Sequence, residues 1–315
     1  MYKTFKIFFD NQAYEHSVNL TKININNKML YLSTGHSFPE LRYMTDNNID
    51  IYRTTNIYDT INYDNKYYSI DDNFNDFSIL SITSHEPTNY IEINNTRYNI
   101  IGICKNTNIK FLENEILLKN SFSTGLSFTK PIINFDTDNY IESINNNIKY
   151  YTFKINGKIV IISTPYNQGI IVKGCFSNLD RFNGMPINQN DNNKQMEYYF
   201  NNIISTFKNH ELFNNHSINH NMNHFNYYLN NNLISIVSLM GDSGAGFFRM
   251  IPNSTDLETV GINICGCSII ILSQIPSINK IKIGTYYVEE LHKGAQLLSI
   301  NMINNLLSQH NIMIK

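Results

Sequence analysis

A glycine-rich loop surrounds a single Asp-Ser pair in the stretch "SLMGDSGAGFF", residues 238–248. Glycines this close together let a backbone turn tightly and point its N–H groups at a negative charge. A serine hydroxyl in such a loop is an effective nucleophile when a histidine takes its proton and a carboxylate orients that histidine. Ser243 is therefore a candidate nucleophile for acyl transfer.

Both partners that such a serine needs occur upstream in the chain. His36 follows a β-type run in "MLYLSTGHSF", and Asp76 opens another in "NDFSILSI". Taken singly, His36 could be a buried core histidine and Asp76 a carboxylate in a turn. In combination with the glycine loop, the three residues predict a Ser-His-Asp triad.

The elements that must position these residues are predicted to be strands. The chain has 315 residues, of which 42% are hydrophobic, so it can bury a substantial core. Short β-branched and aromatic runs alternate with Asn, Asp and Gly turns, which predicts an all-β protein of antiparallel sandwiches or barrels. Asn156-Gly157, between two such runs, predicts a two-residue hairpin turn.

Two segments instead have apolar residues at spacings of three and four, which favours amphipathic helices. One is "DNNKQMEYYFNNIISTFKNHELFNN", residues 191–215. The other, "VEELHKGAQLLSINMINNLLSQH", predicts a C-terminal helix over about residues 288–308.

The motifs together resemble those of chymotrypsin/trypsin-like serine proteases. "YLSTGHSF" is similar to the family's strand ending in Ala-Ala-His, "NDFSILSI" to its Asn-Asp-Ile strand, and "GDSGAG" to its Gly-Asp-Ser-Gly-Gly block. "VGINICGC" resembles its substrate-binding strand, "GTYYVEELHKGAQLL" its run into the terminal helix, and "SFSTGLSF" weakly the strand that opens its second barrel.

The resemblance implies two antiparallel β-barrels, a chymotrypsin-like double barrel with a C-terminal helix. The expected domains are residues 1–115, with His36 and Asp76, and residues 116–315, with Ser243. A partly helical insertion in the second barrel is expected over about residues 180–230.

The resemblance also implies a role for each residue of the triad. Ser243 would be the nucleophile, His36 the general base and then acid, and Asp76 the group that orients His36. Backbone N–H groups of Gly241 and Ser243 would form the oxyanion hole. In the family, the residue matching Asp242 pairs with a new N-terminus released by zymogen cleavage; no such cleavage site is visible here, so Asp242 is expected to have another partner or another activation route.

Substrate specificity follows from the same resemblance. Val237 matches the floor of the family's primary pocket, and an apolar floor cannot pair with Lys or Arg, so an apolar or uncharged P1 side chain is expected. Ile264 stands where the family has a serine that bonds the catalytic Asp. The residues expected to bind substrate are Val237, Ser238, Met240, Ile264, Cys265, Gly266 and Gly284.

The expected reaction is peptide-bond hydrolysis through an acyl-enzyme without a cofactor, on a viral polyprotein or a host protein. A net charge of −2 provides no field that would gather nucleic acid or membrane lipid. The N-terminus lacks a signal-peptide core, and the four cysteines lack zinc-ligand spacing. We therefore expect a cytoplasmic protein, in the host cytoplasm if it is viral.

A metal site and two other functions are alternative hypotheses for this sequence. His216, His220 and His224 recur at spacings of four and could hold Zn²⁺ or Ni²⁺ if helical, but an Asn-rich polar surface accounts for them more simply, so we expect no metal. The double barrel also resembles that of poxins, viral nucleases that degrade 2′,3′-cGAMP. A catalytically inactive binding protein on the protease fold is the third reading.

Overall fold

The computed structural model describes most of the expected β-rich regions. It describes residues 2–9, 12–25, 28–34, 51–52, 60–62, 67–68, 77–83, 90–93, 95–103, 111, 115–121, 125–145, 148–175, 234–238, 241–276, 282–283 and 285–309. The expected insertion at 180–230, the predicted helix at 191–215 and the three spaced histidines lie outside these residues.

Strands dominate the described residues. Up to residue 121 they are β1 (Tyr2–Phe9), β2 (Gln12–Asn19), β3 (Thr21–Ile25), β4 (Lys28–Ser33), β5 (Ile51–Tyr52), β6 (Thr60–Asn62), β7 (Tyr67–Tyr68), β8 (Phe77–Thr83), β9 (Tyr90–Ile93), β10 (Thr96–Ile103) and β11 (Leu117–Ser121). Beyond it they are β12 (Gly125–Asn134), β13 (Tyr140–Asn145), β14 (Ile148–Ile155), β15 (Lys158–Ser163), β16 (Ile170–Gly174), β17 (Ile234–Ile236), β18 (Gly246–Met250), β19 (Asp256–Ser273), β20 (Lys282–Ile283) and β21 (Tyr286–Ser299), followed by helix α1 (Ile300–Gln309). The predicted all-β class is confirmed.

The chain forms two compact units. Unit 1 contains Met1–Leu126, Leu239–Cys265 and Leu297–Lys315, and unit 2 contains Ser127–Ser238 and Gly266–Gln296. This division differs from the single boundary expected after residue 115. The glycine loop belongs to unit 1 because it is bonded to residues of the N-terminal segment, as described below.

Unit 1 is mainly antiparallel. β4 lies between β3 and β8, and β18 lies between β11 and the first part of β19. The parallel pairing of β10 with the start of β19 is the exception among its described pairs. These ladders bring the start of β18, and with it the loop that precedes it, beside β11.

Unit 2 contains a meander in which β13, β14, β15 and the second part of β19 are neighbours. Its apolar core includes Phe135, whose ring packs edge-on against Tyr151 and Phe153. The β14–β15 connection is the predicted hairpin turn: Ile155 pairs with Lys158, and φ is 47° at Asn156 and 75° at Gly157. Positive φ at both central residues is typical of a type I′ turn, so this prediction is confirmed.

The C-terminal helix begins later than expected. Residues 288–299 belong to β21, and only 300–309 are helical. β21 pairs in parallel with β17, and six consecutive residues at its end are buried, so it is not a one-sided amphipathic element. The apolar spacing in residues 288–299 is compatible with a helix or with a buried strand, and pairing with β17 decides for the strand. Within the described part of the chain, no helix has the length and apolar character needed to cross a membrane.

Candidate active site

The glycine loop in unit 1 places Ser243 at the tip of a tight turn. The Ala245 N–H donates to the Asp242 carbonyl at 3.1 Å, which closes a four-residue turn. φ at Gly244 is 81°, the positive value that the third position of a type II turn requires. Ser243 is partly exposed, whereas Asp242 and Gly244 on either side of it are buried. The turn thus presents the serine and conceals its neighbours.

Strand β19 fixes the far side of this turn. The Gly244 N–H donates to the Asn263 carbonyl at 2.8 Å, and the Asn263 N–H donates to the Ala245 carbonyl at 2.8 Å. Since these bonds run in both directions, the residues after Ser243 continue the antiparallel ladder of β18 and β19.

Side chains from the N-terminal segment hold the other side of the loop. Asn19 Nδ2 donates to the Gly241 carbonyl at 2.5 Å, and Thr21 Oγ1 donates to the Gly244 carbonyl at 2.9 Å. Asn19 in turn accepts a bond from Ser33 Oγ at 2.8 Å, through its own carbonyl. Carbonyl groups on both sides of Ser243 are therefore oriented by residues more than 200 positions away in the chain.

The end of β4 lies directly against the loop. A Cβ built on Gly244 would overlap Ser33 Oγ and the Asn19 carbonyl oxygen and would lie 3.2 Å from Ser33 Cα. Ser33 is the last residue of β4, and it pairs with Ser78 near the start of β8. The C-terminal end of β4 and the N-terminal end of β8 are thus neighbours beside the loop that carries Ser243.

A buried ion pair anchors the residue before the serine. Asp242 is fully buried; its Oδ2 lies 2.7 Å from Lys119 Nζ, and its Oδ1 accepts a bond from Ser121 Oγ at 2.5 Å. Burial lowers the pKa of the Lys119 ammonium, and the charge and hydrogen bond of Asp242 oppose this shift. Both carboxylate oxygens thus have charged or hydroxyl partners inside the protein, as a buried charge requires.

Strand geometry explains why Lys119 and Ser121 act together. They are two positions apart in β11, so their side chains point to the same face. β11 pairs with β18 in a register that matches Lys119 with Phe247, close to the start of that strand. The ladder therefore sets both side chains beside the loop.

The predicted catalytic residues are only partly described. Ser243 and Gly241 occupy the loop in unit 1. His36 follows the end of β4 by three positions in the sequence, and Asp76 immediately precedes β8; both lie outside the described residues. The triad therefore stays a prediction, although the strand ends next to His36 and Asp76 in sequence are neighbours.

The residues expected to bind substrate are divided between the units. Ile264 is buried and Cys265 is partly buried, both in unit 1. Val237 and Ser238 are buried in unit 2, and Gly266 is partly buried there. Met240 and Gly284 lie outside the described residues.

A lysine lies beside the unit 2 members of this set. Val237 N–H donates to the Lys293 carbonyl at 2.9 Å. A Cβ built on Gly266 would lie 3.4 Å from both Lys293 Nζ and Ser238 Oγ. Val237 in this set is therefore apolar, and Gly266 lies beside the Lys293 side chain.

Other titratable groups cluster in unit 2. Burial raises the pKa of Glu290, but bonds and charges from His292 and Lys173 outweigh it and hold the pKa at about 2. Burial lowers the pKa of His292. Cys175 and Cys267 in this unit, like Cys265 in unit 1, are thiols. In the residues that the structure describes, no three His, Cys, Asp or Glu side chains are grouped as metal ligands.

The chain matches no protein-family model, no curated protein and no solved structure.

Sequence reasoning missed the residues that hold the loop, namely Lys119, Ser121, Asn19 and Thr21. One signal was present: Lys119 follows the apolar Leu117 by two positions, so in strand β11 both side chains point to the same, buried face. A lysine at a core-facing position indicates a buried acidic partner.

Proposed function

We propose that this protein is a serine endopeptidase that hydrolyses peptide bonds through an acyl-enzyme. Ser243 is the nucleophile, His36 the general base and then acid, and Asp76 the residue that orients His36. The proposal includes the chymotrypsin-like double barrel, and it assigns the enzyme to the cytoplasm, where thiols stay reduced.

One observation carries the proposal. The end of β4 lies against Gly244, and it is paired with the start of β8. In the sequence, His36 follows the end of β4 by three positions, and Asp76 immediately precedes β8. The strand ends that adjoin His36 and Asp76 in the sequence therefore lie beside the loop that carries Ser243, which supports the choice of these two residues as its partners.

The chemistry then proceeds from these groups. Ser243 Oγ attacks the scissile carbonyl carbon and gives its proton to His36. The oxyanion that forms accepts bonds from the N–H groups of Gly241 and Ser243, and each such donor contributes about 10²–10³ in rate. His36 then protonates the leaving amine, which leaves the acyl group on Ser243 as an ester. Water attacks this ester while His36 takes its proton, and His36 returns the proton to Ser243 Oγ as the carboxylic acid product leaves.

The proposal includes a substrate preference. Val237 provides no counter-charge for Lys or Arg. Apolar or uncharged P1 residues are therefore preferred, and profiling with a peptide library should show little cleavage after Lys or Arg.

Intact-mass labelling with a fluorophosphonate tests the nucleophile. Ser243→Ala should abolish the single adduct of the wild type, and His36→Ala should slow its formation strongly. Ser254→Ala is the matched control, because Ser254 also lies in a turn beside an acidic residue, to which its hydroxyl donates at 2.9 Å. A wild type that forms no adduct, or an adduct that persists in Ser243→Ala, would overturn the proposal.

A further inference from the structure

The carboxylate of Asp242 is placed to control the proposed oxyanion hole. Asp242 lies between Gly241 and Ser243, whose N–H groups form that hole in the proposed mechanism. The peptide group that joins Asp242 to Ser243 carries the Ser243 N–H, so the backbone angles of Asp242 set the direction of this donor relative to Gly241. Contacts that fix the position of Asp242 therefore also help to fix how the Ser243 N–H is directed relative to the Gly241 N–H.

Lys119 and Ser121 hold this carboxylate from within the folded chain. The Lys119 and Asp242 side chains are both 0% exposed, and their charged atoms are 2.7 Å apart. Ser121 Oγ donates a hydrogen bond to the other carboxylate oxygen, Asp242 Oδ1, at 2.5 Å. A buried carboxylate with partners on both oxygens cannot rotate without leaving a charge unpaired, which is strongly unfavourable.

Neither partner depends on cleavage of the chain. The cation is the side-chain ammonium of a residue in the middle of strand β11, and the β11–β18 ladder places it beside the loop. The pair therefore forms when unit 1 folds, with every peptide bond intact.

We propose that Lys119, assisted by Ser121, holds the oxyanion hole in its active form in the uncut chain, so that the enzyme needs no proteolytic activation. This inference rests on the proposed serine-protease function. Lys119 is a positioning residue here, because it acts on the donors through Asp242.

The test follows fluorophosphonate labelling over a range of reagent concentrations, which separates the rate constant of bond formation from reagent affinity. In that reaction Ser243 Oγ forms a bond to phosphorus, fluoride leaves, and His36 takes the hydroxyl proton. Lys119→Met should lower the rate constant about 10²- to 10³-fold with little change in affinity. Lys158→Met is the matched control, since the partner of Lys158 is Glu289 at the surface of unit 2.

A double variant addresses the risk that an unpaired Asp242 prevents folding. Lys119→Met with Asp242→Asn removes both charges while keeping side-chain volume, and such replacements often preserve stability. We expect this variant to fold, as judged by circular dichroism and thermal unfolding, and to label as slowly as Lys119→Met.

The outcomes separate the two proposals. Rapid adduct formation on wild-type chain of full-length mass, with slow labelling of the folded double variant, supports the inference. Labelling that appears only after cleavage, or a double variant that labels like wild type, overturns it and leaves the serine-protease function intact. A wild type that forms no adduct in either state overturns both.

Discussion

Two glycine turns with positive φ are held in opposite ways. At Gly157 in unit 2, a Cβ would meet nothing within 4 Å, and the turn joins strands that are adjacent in sequence. At Gly244 in unit 1, a Cβ would overlap Asn19 and Ser33. The first turn is specified by its own two residues, whereas the second depends on partners far along the chain. Local sequence is enough for a connection, whereas the loop that carries Ser243 needs distant supports.

Charges show the same contrast between the units. Lys119 and Asp242 are both 0% exposed, while the side chains of Lys173 and Glu290 in unit 2 are 17% and 28% exposed. Water can replace a lost partner in the second pair much more readily than in the first. Perturbations of the loop should therefore have larger effects than matched perturbations in unit 2.

Gly244→Ala should produce the largest effect. Positive-φ strain costs about 1–3 kcal/mol, and overlap in a packed site costs about 1–3 kcal/mol more. We expect the free energy of unfolding in urea to fall by about 3 kcal/mol and fluorophosphonate labelling of the remaining folded protein to be lost. A variant with wild-type stability would show that the loop is not packed against Asn19 and Ser33.

Thr21→Val should have the next largest effect, because it leaves the buried Gly244 carbonyl without its side-chain donor. The expected loss in free energy of unfolding is about 1–2 kcal/mol, with slower labelling. Thr137→Val is the matched control, since Thr137 is exposed and bonded only weakly to Asp138, at 3.4 Å. Equal effects of the two variants would contradict long-range support of the loop.

Gly157→Ala isolates the cost of backbone conformation. With no atom within 4 Å of the added Cβ, only the left-handed φ opposes the substitution, at about 1 kcal/mol. Labelling of Ser243 should be unchanged. A loss as large as that of Gly244→Ala would remove the distinction between the two turns.

Glu290→Gln should show the smallest effect, which should be present near neutral pH and fade in acid. Because the folded pKa of about 2 is below the ordinary 4.5, the folded state favours the carboxylate, and this stabilisation is lost as pH falls from about 4.5 to about 2. The thermal midpoint of the Gln variant should therefore depend less on pH in that window. Glu142→Gln, whose partner Lys149 is 4.0 Å away, should retain the wild-type slope.

The sequence predicted what is locally encoded. Alternation and turn residues predicted the β class, and Asn156-Gly157 predicted its hairpin, because both signals act over a few residues. "GDSGAG" predicted the glycine loop for the same reason. The predicted start of the C-terminal helix was wrong, since pairing of β21 with distant β17 outweighed the helix-like spacing of its apolar residues. The bonds from Asn19, Thr21 and Lys119 to the loop were missed because no local pattern links residues 123 to 223 positions apart.

The long separation between Asn19 and the loop sets the order of events during synthesis. Asn19 and Thr21 meet partners 222 and 223 positions later. At about 5–20 residues per second, the ribosome needs roughly 10–45 s to make the intervening chain. The loop can acquire its full set of supports only after residue 244 has been made. Until then, a nascent chain carries Asn19 and Thr21 without the carbonyl groups that they bind in the folded protein.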